Sequence, residues 1–300
     1  MVVDDQNTLA TIYTNPFLPA AIKSLVFRPL PSSPSPTGST SALLFVAGAR
    51  EYLAAFHLTY LDPEDGTEEL LVREVGTMLA EEGKEVRCMD IALVPLPSGG
   101  IEEQVGVLGG YSDGSLKVRF VFISPLAVFA CSVTNQNIAV GLPPPFCCFH
   151  PHQSGINALA VRDEGSSLVV VSGGDDNALS ACMIELYTTP SGELQARLGP
   201  ANTVKDAHAS TIQGLDCLHP TLLASSSVDQ RLNLYHLSSS TSSSPDLLRL
   251  RLVDSTCLDV GDCSAQVVVP TRAREEGEGE GRVAVAGIGV EVVGIDLREG

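Results

Sequence analysis

The sequence predicts an all-β fold, a β-propeller of about four to five divergent blades, and three observations carry that prediction. First, an apolar strand runs five times into a small-residue turn and out into a second strand. The segments are LLFVAGAREYLAAFHL (43–58), VGVLGGYSDGSLKVRFV (105–121), LVVVSGGDDNALSACMIEL (168–186), LLASSSVDQRLNLYHL (222–237) and VAVAGIGVEVVGIDL (283–297). Second, the units recur evenly. From Gly48 to Gly110, Gly174, Ser226 and Gly287 the steps are 62, 64, 52 and 61 residues. A unit of this kind cannot bury both its faces alone, so copies must cover one another, and a four-stranded blade has a basic period of about 40 to 45 residues. The surplus reads as loop insertions. Third, helix-length apolar stripes are scarce, while 27 Gly and 19 Pro punctuate short strands, as a turn-rich β architecture requires.

Taken in order, the blades are expected at 20–61, 86–133, 150–200, 205–240 and 247–297. PSSPSPTGSTSA (31–42) parts the first two strands of the first blade, SSSTSSSP (238–245) follows NLYHL, and TRAREEGEGEG (271–281) precedes RVAVAG. Such Ser, Pro, Gly and Glu tracts bury too little surface to offset their ordering entropy, so they are expected as flexible loops. Trp is absent and aromatic residues make up 5% of the chain, so Val, Leu, Ile and Ala must fill the space between sheets.

The formal charge is −18, from 18 basic and 36 acidic residues. Nucleic-acid affinity comes largely from counterion release by Lys and Arg, so this balance disfavours unaided binding to RNA or DNA. Residues 62–85 hold nine acids against Arg73 and Lys84, which reads as a solvated loop and edge strand or as a dock for a basic partner. The start, MVVDDQNTLA, lacks a basic region leading into an apolar core. The most apolar stretch, 118–133, is broken by Arg119 and Pro125 and falls short of the roughly 18 to 20 residues a spanning helix needs. A soluble, cytoplasmic protein is expected, with no membrane partner.

Eight cysteines stand at 88, 131, 147, 148, 182, 217, 257 and 263 with no CxxC pair. Several lie in apolar strands, where a thiol behaves as a small hydrophobe, and free thiols in this number suit a reducing compartment. The nearest approach to a zinc ligand set is Cys147, Cys148, His150 and His152, and its spacing argues against a site. No metal and no cofactor is expected.

Turn chemistry narrows the class of repeat. In the third unit His152 precedes the first strand, Ser172 closes the second and Asp176 occupies the next turn; His208, Ser225 and Asp229 repeat that order in the fourth. This is the order of a WD-repeat blade, in which a turn Asp accepts bonds from backbone amides and the loop His, and a Ser or Thr joins that His to a Trp indole. Six residues beyond each Asp, where the Trp belongs, stand Cys182 and Tyr235. The second unit keeps Asp113 but has Arg119 at the Trp position; the first has Arg50 for the Asp and Phe56 for the Trp; the fifth lacks the Asp.

The wording HQSGINALAV, VVVSGGDDNALSACMIEL, AHASTIQGLDCL, LLASSSVDQRLNLYHL and DSTCLDVGD, ending in VAVAGIGVEVV, resembles the C-terminal blades of the WD repeat-containing protein 6 family. SGGDDNAL and SVDQRL are its most specific pieces, and the likeness covers roughly residues 150–297. That family is the propeller partner of the tRNA wobble-nucleotide ribose 2′-O-methyltransferase, and its members are far longer, so the resemblance implies part of a larger propeller. It also implies a noncatalytic adaptor: the methyltransferase partner carries the donor cofactor and the chemistry, and tRNA is met through the complex. The runner-up is a general interaction scaffold in trafficking or signalling.

Three patterns imitate enzymes. GGDD (173–176) pairs two carboxylates, yet adjacent acids between strands are mostly turn-formers. VAVAGIGVEVVG opens like a dinucleotide fingerprint, but a second strand pattern follows where a helix is needed. The His, Ser and Asp sets suggest a hydrolase triad, but an enzyme needs one site, and a nucleophilic Ser wants an exposed, strained elbow. No catalytic residue is assigned.

Overall fold

The computed structural model describes residues 2–3, 9–10, 20–29, 40–61, 69–78, 86–94, 104–122, 140–141, 145, 147–165, 167–190, 194–239, 248–269 and 280–296. Every regular element among them is a β-strand. A two-stranded pair, β1 (Val2–Val3) with β2 (Leu9–Ala10), stands apart. The remaining strands form five sheets in a five-blade β-propeller arrangement.

The first sheet runs β3 (Ile22–Pro29), β4 (Thr40–Gly48), β5 (Leu53–Leu61) and β6 (Glu69–Met78), with β10 (Val140–Gly141) parallel on β6. The second is β7 (Cys88–Val94), β8 (Gln104–Tyr111) and β9 (Leu116–Phe122), closed by β11 (Cys147–Phe149). The third is β12 (Ile156–Asp163), β13 (Ser167–Gly174), β14 (Leu179–Thr188) and β15 (Leu194–Leu198), with β16 (Asn202–Val204) also on β14. The fourth is β17 (Ile212–His219), β18 (Leu222–Ser227), β19 (Arg231–Ser239) and β20 (Leu248–Cys257). The fifth pairs β21 (Gly261–Val269) with β22 (Glu280–Asp296).

Two segments join sheets other than those expected from sequence. β11 completes the second sheet although the second blade was expected to end at residue 133, and β20 completes the fourth although 247 was expected to open the fifth. In both cases the strand that follows a long connection pairs back on the blade already begun. The tracts 31–39, 240–247 and 270–279, which make up most of the expected loops, lie outside the described residues, whereas Thr40–Ala42, Ser238–Ser239 and Glu280–Gly281 belong to β4, β19 and β22 and are strand, not loop.

Alternation along each middle strand explains how the sheets stack. In β13, Val169 and Val171 enter the cluster shared with the fourth sheet, while Leu168 and Val170 enter the one shared with the second. A middle strand so placed has no polar face, hence the unbroken run LVVV. The first strands β3, β7, β12, β17 and β21 lie side by side in sequence order. The fifth sheet has no comparable packing on the first among the described residues.

Glycines set the distance between neighbouring sheets. A Cβ on Gly110 would come within 2.6 Å of Ile156 Cγ2, and one on Gly173 within 2.6 Å of Ile212 Cγ2. In each case the first residue of the next sheet's inner strand sits on a glycine of the preceding sheet. The structural counterpart of Gly110 is therefore Gly173, one residue before the Gly174 that sequence counting aligns with it. Gly173→Val should destabilise the protein by about 1 to 3 kcal/mol through overpacking, because β13 and β17 cannot separate without opening the core between them. Urea unfolding followed by circular dichroism measures this, and a midpoint equal to that of the unaltered chain would contradict it.

Candidate functional site

The turns between the second and third strands of the blades share one backbone device. Glu51, Gly114, Asn177 and Gln230 all have left-handed φ, at 52°, 79°, 60° and 61° respectively. Each follows the position of Arg50, Asp113, Asp176 or Asp229. Only Gly takes this conformation without steric cost, so three of the four turns hold a side chain there against a local penalty. An Asp just before that residue relieves part of it by accepting amides that the turn leaves open. Asp176 accepts from Ala178 N at 3.2 Å, Asp229 from Arg231 N at 3.0 Å and Asp113 from Ser115 N at 3.0 Å.

In the third and fourth blades the same carboxylates reach a histidine. His152 Nδ1 lies 2.9 Å from Asp176 Oδ1, and its Nε2 lies 2.8 Å from Ser172 Oγ. His208 Nδ1 lies 3.1 Å from Asp229 Oδ2, and its Nε2 lies 2.8 Å from Ser225 Oγ. A carboxylate only accepts, so Nδ1–H donates to it and the serine hydroxyl donates into Nε2. Gln153 N and Ala209 N also donate to Asp176 and Asp229. Burial opposes ionisation of Asp176, but its bond and charge interaction with His152 and the two amides hold its carboxyl below the usual range. Burial lowers the pKa of His208 despite the Asp229 carboxylate, which acts the other way.

Among the described residues, neither Tyr235 nor Cys182 takes up the indole's part in the network. Tyr235 donates its hydroxyl to the Ala207 carbonyl at 3.0 Å, beside the Asn233 amide at 2.9 Å on the same oxygen. Cys182 is buried in the cluster between the second and third sheets. In the second blade Asp113 bonds the Ser115 hydroxyl at 2.5 Å. Arg119 instead points to Glu51 of the preceding turn at 3.4 Å, and Lys117 reaches the same carboxylate at 2.8 Å with its ammonium 4.2 Å over the Tyr111 ring. A charged group thus fills the space that Trp would occupy, and a carboxylate from the first blade pairs with it.

Sequence reasoning did not single out two inner-strand carboxylates that join blades. Asp90 of β7 accepts from Ser24 Oγ in the first sheet at 2.8 Å and from Leu159 N in the third at 2.8 Å, as well as from Ile91 N at 2.8 Å. Asp216 of β17 accepts from Val268 N in the fifth sheet at 2.9 Å. The signal was an acid inside an apolar inner strand, in CMDIALV and QGLDCLH. Burial pushes the Asp90 carboxyl up to about 6 against the hydrogen bonds from Ser24, Leu159 and Ile91, and it raises that of Asp216 as well.

The residues that imitate enzymes are dispersed or enclosed. Asp175 is exposed and bonds Asn157 at 2.6 Å, while Asp176 turns to His152. Ser172 and Ser225 are fully buried, out of reach of a substrate. The GIG segment lies within strand β22. Cys147 is half-buried beside an exposed Cys148, and among the described residues no three His, Cys, Asp or Glu side chains form a group that could hold a metal. Burial pushes the Cys88, Cys147 and Cys182 thiols up to about 12 and Cys217 to about 11. Thiols held so high stay protonated and are poor nucleophiles. No described helix is long and apolar enough to cross a membrane.

A sequential stack of blade sheets with His–Ser–Asp contacts in two successive blades defines a WD-repeat-like β-propeller arrangement. No family model matches the chain. Over 143 residues the chain is 29% identical to a protein named tRNA (34-2'-O)-methyltransferase regulator WDR6 from Pongo abelii. The match covers 42% of this chain and 12% of that protein's length. Fold and similarity together support a relation to the WD-repeat family.

Two measurements probe this geometry. Asp229→Ala leaves His208 Nδ1 and the amides of Ala209 and Arg231 without their acceptor, and it should destabilise by about 1 to 3 kcal/mol, as should Asp176→Ala. Unfolding curves that coincide with the unaltered chain would count against the network. For Asp90 the folded carboxyl titrates near 6 against a reference of 3.8, so the folded state binds the proton more tightly. Stability should therefore be greatest below about pH 4 as far as this group is concerned, and fall as pH rises through 6. The loss is on the order of 1 to 3 kcal/mol. Asp90→Asn should remove that component, so the difference in stability between variant and unaltered chain should change between about pH 4.5 and about pH 7.5. A difference constant with pH would refute the assignment.

Proposed function

We propose that this chain is a noncatalytic WD-repeat scaffold that serves as an adaptor subunit in ribose 2′-O-methylation at the tRNA wobble position. The observation that carries the finer reading is the 143-residue similarity to a protein named as a regulator of a tRNA 34-2′-O-methyltransferase. The coarser reading rests on the fold. Stacked blades expose turns and strand edges of many different shapes, and such surfaces suit the recognition of other proteins. The partner on this reading is the methyltransferase, and tRNA is engaged through the complex. The net charge of −18 agrees with that division, because the long-range field of this chain repels a polyphosphate.

The chain alone should neither bind a methyl donor nor transfer a methyl group. Deleting its gene should remove 2′-O-methylation at the wobble ribose while leaving other ribose methylations of the same tRNA in place, as read by nucleoside mass spectrometry. Intact wobble methylation in the deletion strain would discard the adaptor reading. Affinity purification should recover a ribose methyltransferase with the chain; recovery of coat or signalling proteins in its stead would leave the general scaffold.

A further inference from the structure

The inner strands β3, β7, β12 and β17 share one irregularity, a register shift between their first and third residues: Ile22/Ser24, Cys88/Asp90, Ile156/Ala158 and Ile212/Gly214. The residue that follows the shift is Leu25, Ile91, Leu159 or Leu215. Three of these four serve the same purpose. Ile91, Leu159 and Leu215 are 5%, 8% and 8% exposed, each in the cluster formed with the preceding sheet. Leu159 and Leu215 lie against the glycines that also receive Ile156 and Ile212. Leu25 occupies the same position and is 57% exposed. Two residues on, Leu93, Val161 and Cys217 are partly buried in those same clusters, whereas Phe27 is 59% exposed. The first blade thus presents the apolar ridge that elsewhere inserts into a preceding sheet.

The fifth blade presents the matching receptacle. Its Val283 and Val285 point into the cluster shared with the fourth sheet, so Ala284 and Ala286 face the other way. Ala286 is the counterpart of Gly110 and Gly173, the small residue on which the next inner strand rests. Ala284 pairs with Val267, which is 57% exposed, and Val290 and Val292 extend the apolar surface along β22. Contiguous exposed apolar surface on a sheet face marks an interaction site.

We propose that these two surfaces are complementary and that a second copy of this chain docks head to tail, its Leu25–Phe27 ridge seated on the Ala284–Ala286 face of the first. The argument is internal: the interface between sheets two and three recurs between three and four, and both halves of it reappear exposed at the opposite ends of the described stack. The contact is heterologous, because one surface meets a different one, so it leaves a free ridge and a free receptacle on every pair and propagates.

Sedimentation velocity tests this by blocking one end at a time. The unaltered chain should form species that grow with concentration. Leu25→Glu and Ala286→Glu should each be monomeric alone, and an equimolar mixture should give a one-to-one dimer that grows no further, since each variant keeps the end the other lacks. Circular dichroism melting establishes that the variants are folded, and Val267→Asp, on the exposed face, replaces Ala286→Glu if that chain does not fold. A monomeric unaltered chain, continued self-association of Leu25→Glu, or a mixture that stays monomeric would each overturn the proposal.

Discussion

The packing of an aliphatic side chain onto a bare glycine of the neighbouring sheet is the contact on which the architecture depends. Ile156 on Gly110 and Ile212 on Gly173 bring inner strands close enough for their backbones and short polar side chains to interact. The carboxylate of Asp90 can reach Leu159 N only because the second and third sheets stand that near. Aromatic residues are few and Trp is absent, so close approach, and not ring size, fills the space between blades. Dispersion contacts fall away quickly with distance, and a core of Val, Ala and Leu keeps its cohesion only at this spacing.

Different blades stabilise the same turn with different chemistry. The third and fourth hold a carboxylate, an imidazole and a serine hydroxyl in line. The second keeps the carboxylate inside its own turn and recruits Arg119 and Lys117 to Glu51 of its neighbour. The backbone conformation that follows the turn position is common to four blades, which identifies the turn, and not any one side-chain set, as the repeated unit. A side-chain network can diverge as long as the open amides of that turn find an acceptor.

The repeat was legible from sequence because a middle strand buried on both faces leaves an uninterrupted apolar run, and because Gly and Asp must stand at fixed offsets from it. The Ser to Asp offset was legible for the same reason, because the turn itself sets it. Three things were not. The pairing of β11 and β20 depends on which sheet a strand meets after a long connection, and no local pattern encodes that. The one-residue offset of Gly173 against Gly174 depends on strand register, which adjacent glycines cannot report. Asp90 and Asp216 read as ordinary acids until neighbouring sheets are placed beside them.

A stack of repeats is close to one-dimensional, since each unit ordinarily senses only its two neighbours. Asp90 departs from this rule. Its side chain stands in the second blade and holds a hydroxyl of the first and an amide of the third at once. Loosening the first blade therefore alters the acceptor that the third relies on, although those two sheets do not share a strand pairing. Opening fluctuations in that half of the molecule are coupled across three units, so amide hydrogen exchange there belongs to one cooperative block and not to separate blades.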